Sequence, residues 1–200
     1  MVVEVKGILF DMDGVLVSSI GSVERCWRRW AAHYGVPHPE SVEVPHGVRA
    51  IDIMRQLKPG IDTVEGLRLI EDMEIEDVAD LTVLPGVREL LGTLPPERWA
   101  IVTSATRRLL IGRLQAARLP MPELILSGDM VERGKPDPEP YRRGAALIHA
   151  QPSECLVVED APSGVRAGVG AGCTVLGVEG THPPEELLEA GARWVVPTLE

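Results

Sequence analysis

Four stretches of the chain place chemically useful groups where an apolar run gives way to a loop. Val2 to Phe10 is apolar and β-branched and ends in Asp11-Met12-Asp13-Gly14. Trp99–Val102 ends in Thr103-Ser104, Leu124–Leu126 precedes a loop holding Gly134-Lys135-Pro136, and Cys155–Val158 ends in Glu159-Asp160. If these runs are parallel strands of one sheet, their carboxyl ends share the edge at which such sheets bind ligands. Carboxylates at the end of a buried strand are costly unless paired or metal-bound. Asp11, Asp13, Glu159 and Asp160 would repel one another, and Mg2+, a hard cation that takes oxygen ligands and favours phosphate company, relieves that. Lys135 and the hydroxyls and amides of Thr103 and Ser104 can then hold phosphate oxygens turned away from the metal. The set handles a phosphoryl group. An Asp carboxylate can attack phosphorus to give an aspartyl-phosphate, and Asp11, first off its strand, is the best fixed candidate. Asp13 can protonate the leaving oxygen and then deprotonate the attacking water. Gly14 lets the chain turn sharply beside both.

The elements that must position these groups are legible in the pattern. Val2–Phe10 is too uniformly apolar for a surface strand and reads as a buried strand of a parallel sheet. Further apolar runs at Thr174–Val178 and Trp194–Val196 extend the series. Between the runs lie segments of helical period: Leu109, Leu110, Arg113, Leu114 and Ala117; Tyr141, Ala145, Leu147 and Ile148; Val165, Ala167, Val169 and Ala171. Strands alternating with helices predict an α/β fold, a Rossmann-like parallel sheet with right-handed crossovers. The alternation breaks from Leu16 to about Leu81, where no strand is evident. Ile20–Tyr34 is amphipathic, Val48–Leu57 and Thr63–Leu81 look helical, and Pro37, Pro39, Pro45, Pro59 and Gly60 punctuate them. A helical insert, residues 16–81, is therefore expected inside an α/β core made of residues 1–15 and 82–200.

Composition narrows the function classes. With 44% hydrophobic and 25% charged residues in 200, the chain is neither disordered nor fibrous. A net charge of −10 makes it a poor binder of nucleic acid or anionic membrane, so an anionic ligand needs local cations or a metal. The three cysteines, Cys26, Cys155 and Cys173, lie in apolar or helical stretches and read as reduced side chains. No stretch approaches the roughly 20 apolar residues of a membrane span. A cytoplasmic monomer acting on a small phosphorylated molecule is expected.

Asp11-Met12-Asp13-Gly14-Val15-Leu16-Val17, Val102-Thr103-Ser104, Gly134-Lys135-Pro136-Asp137-Pro138 and Val157-Val158-Glu159-Asp160-Ala161-Pro162-Ser163-Gly164 resemble, in order, the four motifs of the haloacid dehalogenase superfamily. The resemblance runs through the Gly172-Cys173 turn to the last strand. It implies that Asp11 is the nucleophile and a Mg2+ ligand. Asp13 is implied to be the acid/base and to bind the metal through its carbonyl. Thr103, with the amides of Ser104 and Ala105, would bind the phosphoryl group, and Lys135 would neutralise Asp11 and the phosphate. Asp160 is implied as a metal ligand and Glu159 as a ligand or its partner, with a helical cap closing over the site. His46-Gly47-Val48-Arg49-Ala50-Ile51-Asp52 and the Trp99–Arg107 and Lys135–Tyr141 stretches resemble glycerol-phosphate and 2-deoxyglucose-6-phosphate phosphatases, making His46 and Arg49 candidate substrate contacts. One departure is Ser18-Ser19, where many relatives have Asp-Ser. β-Phosphoglucomutase shares the four motifs, so a phosphomutase, or a phosphosugar-binding regulatory module with little turnover, stands beside the phosphatase reading. Trp27 and Trp30 are read as cap core.

Overall fold

The structure, a computed structural model, describes residues 3–200; Val2, the expected first strand residue, lies outside the described residues. Strand β1 spans Gly7–Phe10, and β2 is the two-residue strand Val17–Ser18. Three helices follow, α1 (Ile20–His33), α2 (Ala50–Leu57) and α3 (Thr63–Glu76), and then β3 (Thr82–Val83). From there helix and strand alternate: α4 (Val87–Thr93), β4 (Trp99–Val102), α5 (Arg107–Ala116), β5 (Ile125–Leu126), α6 (Glu139–Leu147), β6 (Cys155–Glu159), α7 (Pro162–Ala171), β7 (Thr174–Val178), α8 (Pro184–Ala190) and β8 (Trp194–Val196).

The six long-range strands form one parallel sheet in the order β5-β4-β1-β6-β7-β8. β1 lies between β4 and β6, which explains its uniformly apolar sequence: both faces are covered. Leu9, Ala100, Val157 and Val175 point to a layer made by α6, α7 and α8. Their neighbours Phe10, Ile101, Val158 and Val178 point the other way, to Val87, Leu91, Leu110 and Leu114 of α4 and α5. Each such fully buried aliphatic side chain contributes about 1.5–3 kcal/mol, so the two apolar layers hold the strand ends in place.

The segment between β2 and β3 folds around a separate apolar cluster. Cys26, Trp27, Trp30 and Ala31 of α1 meet Ile53 and Met54 of α2 and Ile70 of α3. Both tryptophans thus belong to this core, and Trp30 donates its indole N–H to Gly66 O at 2.9 Å. Asp62 starts α3 by accepting from the amides of Val64 (2.9 Å) and Glu65 (3.2 Å). The helix is shorter than the periodicity suggested, because Arg25 of α1 grips Asp77 at 2.8 Å and Asp80 at 2.6 Å and turns the chain back. The antiparallel ribbon of β2 and β3 then ties the two ends of the segment together, Val17 opposite Val83 and Ser18 opposite Thr82. That ribbon falls in and beside a stretch read as strand-free; two residues per strand are too few to show a period. Among the described residues no helix is long and apolar enough to cross a membrane.

Candidate active site

The carboxyl ends of β1, β4 and β6 and the loop after β5 converge as expected. Asp11 leaves β1 still held by the sheet, its amide donating to Val158 O at 3.0 Å. Lys135 reaches in from the loop after β5 and is fully buried. Its Nζ lies 2.9 Å from Asp11 Oδ1 and 2.6 Å from Glu159 Oε1, and it donates to Val102 O at 3.1 Å. Tyr141 of α6 donates its hydroxyl to the same Glu159 oxygen at 2.6 Å, and Glu159 Oε2 accepts from the amides of Asp160 (3.1 Å) and Ala161 (3.4 Å). Both oxygens of Glu159 are therefore engaged, which favours the partner alternative for this residue over that of an open metal ligand. Its carboxylate also occupies the space over Gly164 that a Cβ there would need.

Charge in this cluster is unbalanced. Burial is the largest influence on Asp11; Lys135 opposes it, Glu159 and Asp13 add to it, and the carboxyl is pushed up to about 7. Burial, then Glu159 and Asp11, raise Asp160 well above the usual carboxylate range. Burial alone would lower Lys135, but Asp11 and Glu159 outweigh it and keep the ammonium charged. Asp11 Oδ1, although close to Lys135, has no aligned hydrogen-bond donor. Asp11, Glu159 and Asp160 each offer a buried oxygen within 4.8 Å of the others. An under-donated oxygen in a tight set of carboxylates that resist ionisation fits a hard divalent cation. Gly14 makes the arrangement possible: its φ is +79°, and a Cβ there would overlap the Asp160 carboxylate.

Asp13 faces the helical segment. Its Oδ1 accepts from Ser19 Oγ at 3.0 Å, and its Oδ2 pairs with Arg113 of α5. The second arm of Arg113 pairs with Glu74 of α3 at 2.6 Å. Burial lifts Glu74 to about 7 despite that guanidinium. One turn earlier on α3, Glu71 accepts from the Thr106 hydroxyl and from Arg108 at 3.2 Å.

A cavity of about 100 Å³ lies between these groups and the helical segment. Asp11, Asp13, Thr103 and Ser104 line its floor, Trp27, Val44 and Ile53 its apolar wall, and Glu71, Glu74 and Arg113 its polar side. Thr103 Oγ1 accepts from the Ala105 amide at 3.1 Å, so the hydroxyl and the following amides share one turn at the end of β4. Two core hydroxyls hold the loop above it: Ser104 Oγ donates to Gly47 O at 2.6 Å and Ser163 Oγ to His46 O at 3.1 Å.

Residues 8–178 match the family model described as "Haloacid dehalogenase-like hydrolase". The chain belongs to the haloacid dehalogenase-like hydrolases. It is 41% identical to Hexitol phosphatase A of Escherichia coli over 178 residues, covering 86% of this chain and 82% of that protein. It is 30% identical to 2-deoxyglucose-6-phosphate phosphatase 2 of Saccharomyces cerevisiae over 210 residues, covering 94% of this chain and 85% of the yeast protein. Among solved structures, a hydrolase from Pseudomonas syringae superposes with a TM-score of 0.84 at 26% identity, covering 96% of this chain and 93% of that one.

In this haloacid dehalogenase-like hydrolase, Asp11, Asp13, Thr103, Ser104, Ala105 and His46 all border the cavity, with Lys135, Glu159 and Asp160 directly beneath. His46 sits edge-on to His182, ring centroids 5.8 Å apart, and burial with that neighbour lowers its pKa. Arg49 is the expected site residue that lies elsewhere. Its guanidinium pairs with Asp52 at 2.7 Å and donates to Val131 O (2.9 Å) and Glu132 O (3.2 Å), so it clamps α2 to the loop after β5 and does not border the cavity. Three residues escaped the sequence reading. Thr181, after β7, donates to the carboxylate of Asp160 and, at 2.9 Å, to its carbonyl; the end of β7 shares the same sheet edge and was the available signal. Tyr141 and Arg113 stood in helical patterns as inward-facing positions, with nothing to show what they would meet.

Proposed function

We propose that the protein is a phosphomonoesterase that takes the phosphoryl group of a small sugar or polyol monophosphate onto Asp11. The observation that carries this is the fixed pair of Asp11 against Lys135, with Asp13 beside it on the floor of the cavity. The Asp11 carboxylate attacks phosphorus, the bond to the leaving oxygen breaks, and Asp13 delivers a proton to that oxygen. Asp13 then takes a proton from water, the water oxygen attacks the aspartyl-phosphate, and inorganic phosphate leaves with Asp11 restored. Lys135 and the turn from Thr103 to Ala105 hold the transferring oxygens. Mg2+ would be held by the carboxylates of Asp11 and Asp160 and by the carbonyl of Asp13, with Glu159 kept on Lys135. It would neutralise phosphoryl charge.

The hexitol and deoxyglucose phosphatases among the relatives support a polyol or sugar leaving group. So does the cavity: about 100 Å³ is far below the 300–1,000 Å³ of clefts for drug-sized ligands. Its polar side carries Glu71 and Glu74, an acidic lining that disfavours a second phosphate there. The phosphomutase reading needs a cationic seat for that second phosphate, and Arg113, the arginine bordering the cavity, is already paired to two carboxylates. A helical cap made of residues 16–81 and an active monomer complete the proposal. The test is release of inorganic phosphate from hexitol, hexose and glycerol monophosphates, with Mg2+ and with EDTA. Turnover that needs Mg2+ and favours one of these supports the reading; no turnover of any of them overturns it.

A further inference from the structure

Arg113 occupies an unusual position. It projects from α5 in the core, its side chain is 5% exposed, and its two arms end on carboxylates from different parts of the molecule. One arm meets Asp13 Oδ2, at the end of β1. The other meets Glu74 Oε2 at 2.6 Å, on α3 of the helical segment, whose own side chain is 6% exposed. The remaining oxygen of Asp13 accepts from Ser19 at 3.0 Å, and Ser19 lies between the β2–β3 ribbon and α1. Both holds on Asp13 therefore depend on where the helical segment sits.

We infer that Arg113 is a positioning residue that makes the orientation of Asp13 conditional on α3 being docked against α5. The inference rests on the phosphomonoesterase reading, in which Asp13 moves the proton. A guanidinium is a planar fork, and fixing one arm on Glu74 fixes the plane that the other arm presents to Asp13. When α3 moves away, the fork loses Glu74 and Asp13 loses its defined partner. Proton transfer to the leaving oxygen is then competent only while the cavity is closed to water. The second α3–α5 link, Glu71 with Thr106 and Arg108, holds the two helices in register without touching Asp13. Buried ion pairs often do no better than break even with a hydrophobic contact of the same volume, so stability alone does not account for this one.

The test compares leaving groups. An alkyl phosphate such as a hexitol phosphate needs its departing oxygen protonated, whereas p-nitrophenyl phosphate leaves as a stabilised anion. Glu74→Gln keeps the shape of the side chain; Arg113→Lys keeps the charge without the fork; Arg113→Met removes both. In the full chain with Mg2+, Glu74→Gln and Arg113→Met should lower the first-turnover rate of hexitol release about ten- to hundredfold, the range for one charge-assisted hydrogen bond. The first-turnover rate of p-nitrophenolate release, which needs no proton from Asp13, should move less than about threefold, while steady-state turnover falls for both substrates because Asp13 also serves as base in opening the aspartyl-phosphate; Arg113→Lys should fall between wild type and Met. Equal first-turnover losses on both substrates, with melting temperature falling in step, would mean that Arg113 only packs, and would overturn the inference. If Arg113→Met does not fold, Glu74→Gln alone decides by the same ratio. Wild-type protein that hydrolyses neither substrate refutes the phosphomonoesterase reading and this inference with it; wild-type turnover with an unchanged ratio of first-turnover rates in the variants refutes this inference alone.

Discussion

Removing the ammonium of Lys135 should destabilise the fold through the charges it leaves behind, not through the contacts it loses. Lys135 lies between two buried carboxylates, 2.9 Å from Asp11 and 2.6 Å from Glu159, and all three side chains are at most 4% exposed. Lys135→Met conserves the length and the apolar stem. It strands Glu159, whose remaining donors are the Tyr141 hydroxyl and two amides. Breaking a buried pair by removing one partner costs about 3–5 kcal/mol. At roughly 2–4 °C per kcal/mol for a chain of this size, the melting temperature in EDTA should fall by about 6–20 °C. The second substitution separates charge from packing. Lys135→Met with Glu159→Gln should recover on the order of half of that loss, since Asp11 still lacks its counter-ion while Glu159 no longer needs one. Activity should stay absent in both variants. Differential scanning calorimetry of the single and double variants measures this, with circular dichroism to confirm the native fold. A single variant as stable as wild type, or a double variant no better than the single one, would refute the reasoning that unpaired charge carries the cost.

Three other outcomes follow from the geometry. Gly14→Ala places a methyl in the left-handed region and against the Asp160 carboxylate, so the Mg2+ concentration for half-maximal activity should rise at least tenfold, while the unfolding free energy in EDTA falls by about 1–3 kcal/mol from backbone strain. Glu74 binds a proton more tightly folded (about 7) than at its ordinary value of 4.5, so its contribution to stability is greatest below 4.5 and is lost as pH rises through that window. The melting temperature of Glu74→Gln relative to wild type should therefore climb between pH 5 and pH 7.5, and a flat difference would contradict the burial argument. Arg49→Ala cuts the clamp from α2 to the loop after β5; KM for sugar phosphate and for p-nitrophenyl phosphate should rise by the same factor, and a selective rise for the sugar phosphate would show that Arg49 reaches the leaving group after all.

The groups that the sequence exposed most clearly are those fixed by a strand end. Asp11, Thr103, Glu159 and Asp160 follow apolar runs directly, so the position of each side chain follows once the runs are placed in one parallel sheet. Lys135 was legible for a different reason: one of only three lysines among twenty basic residues, it stands between Gly134 and Pro136 in the loop after a strand. What stayed hidden depends on contacts between distant segments. Arg113 sits in a periodic helix at an inward position, which predicts burial but not that 39 residues upstream a glutamate will meet it. Arg49 carries a charge in a loop-like context next to the cavity, yet Asp52, three residues on, and two carbonyls of the facing loop draw its guanidinium away. The β2–β3 ribbon is too short for any pattern, and it exists because the ends of the helical segment must return to neighbouring points of the core.

Phosphorus should become bonded to Asp11 during turnover, and that bond can be trapped. Mixing the enzyme with Mg2+ and excess hexitol phosphate, quenching in acid and reducing with borohydride converts an acyl phosphate to the alcohol, and peptide mass spectrometry then locates it. Homoserine is expected at position 11 in the turnover sample, absent without substrate and absent in Asp11→Asn. Unmodified Asp11 in a sample that is releasing phosphate, or the reduced residue at Asp13 or Asp160 instead, would contradict attack by Asp11.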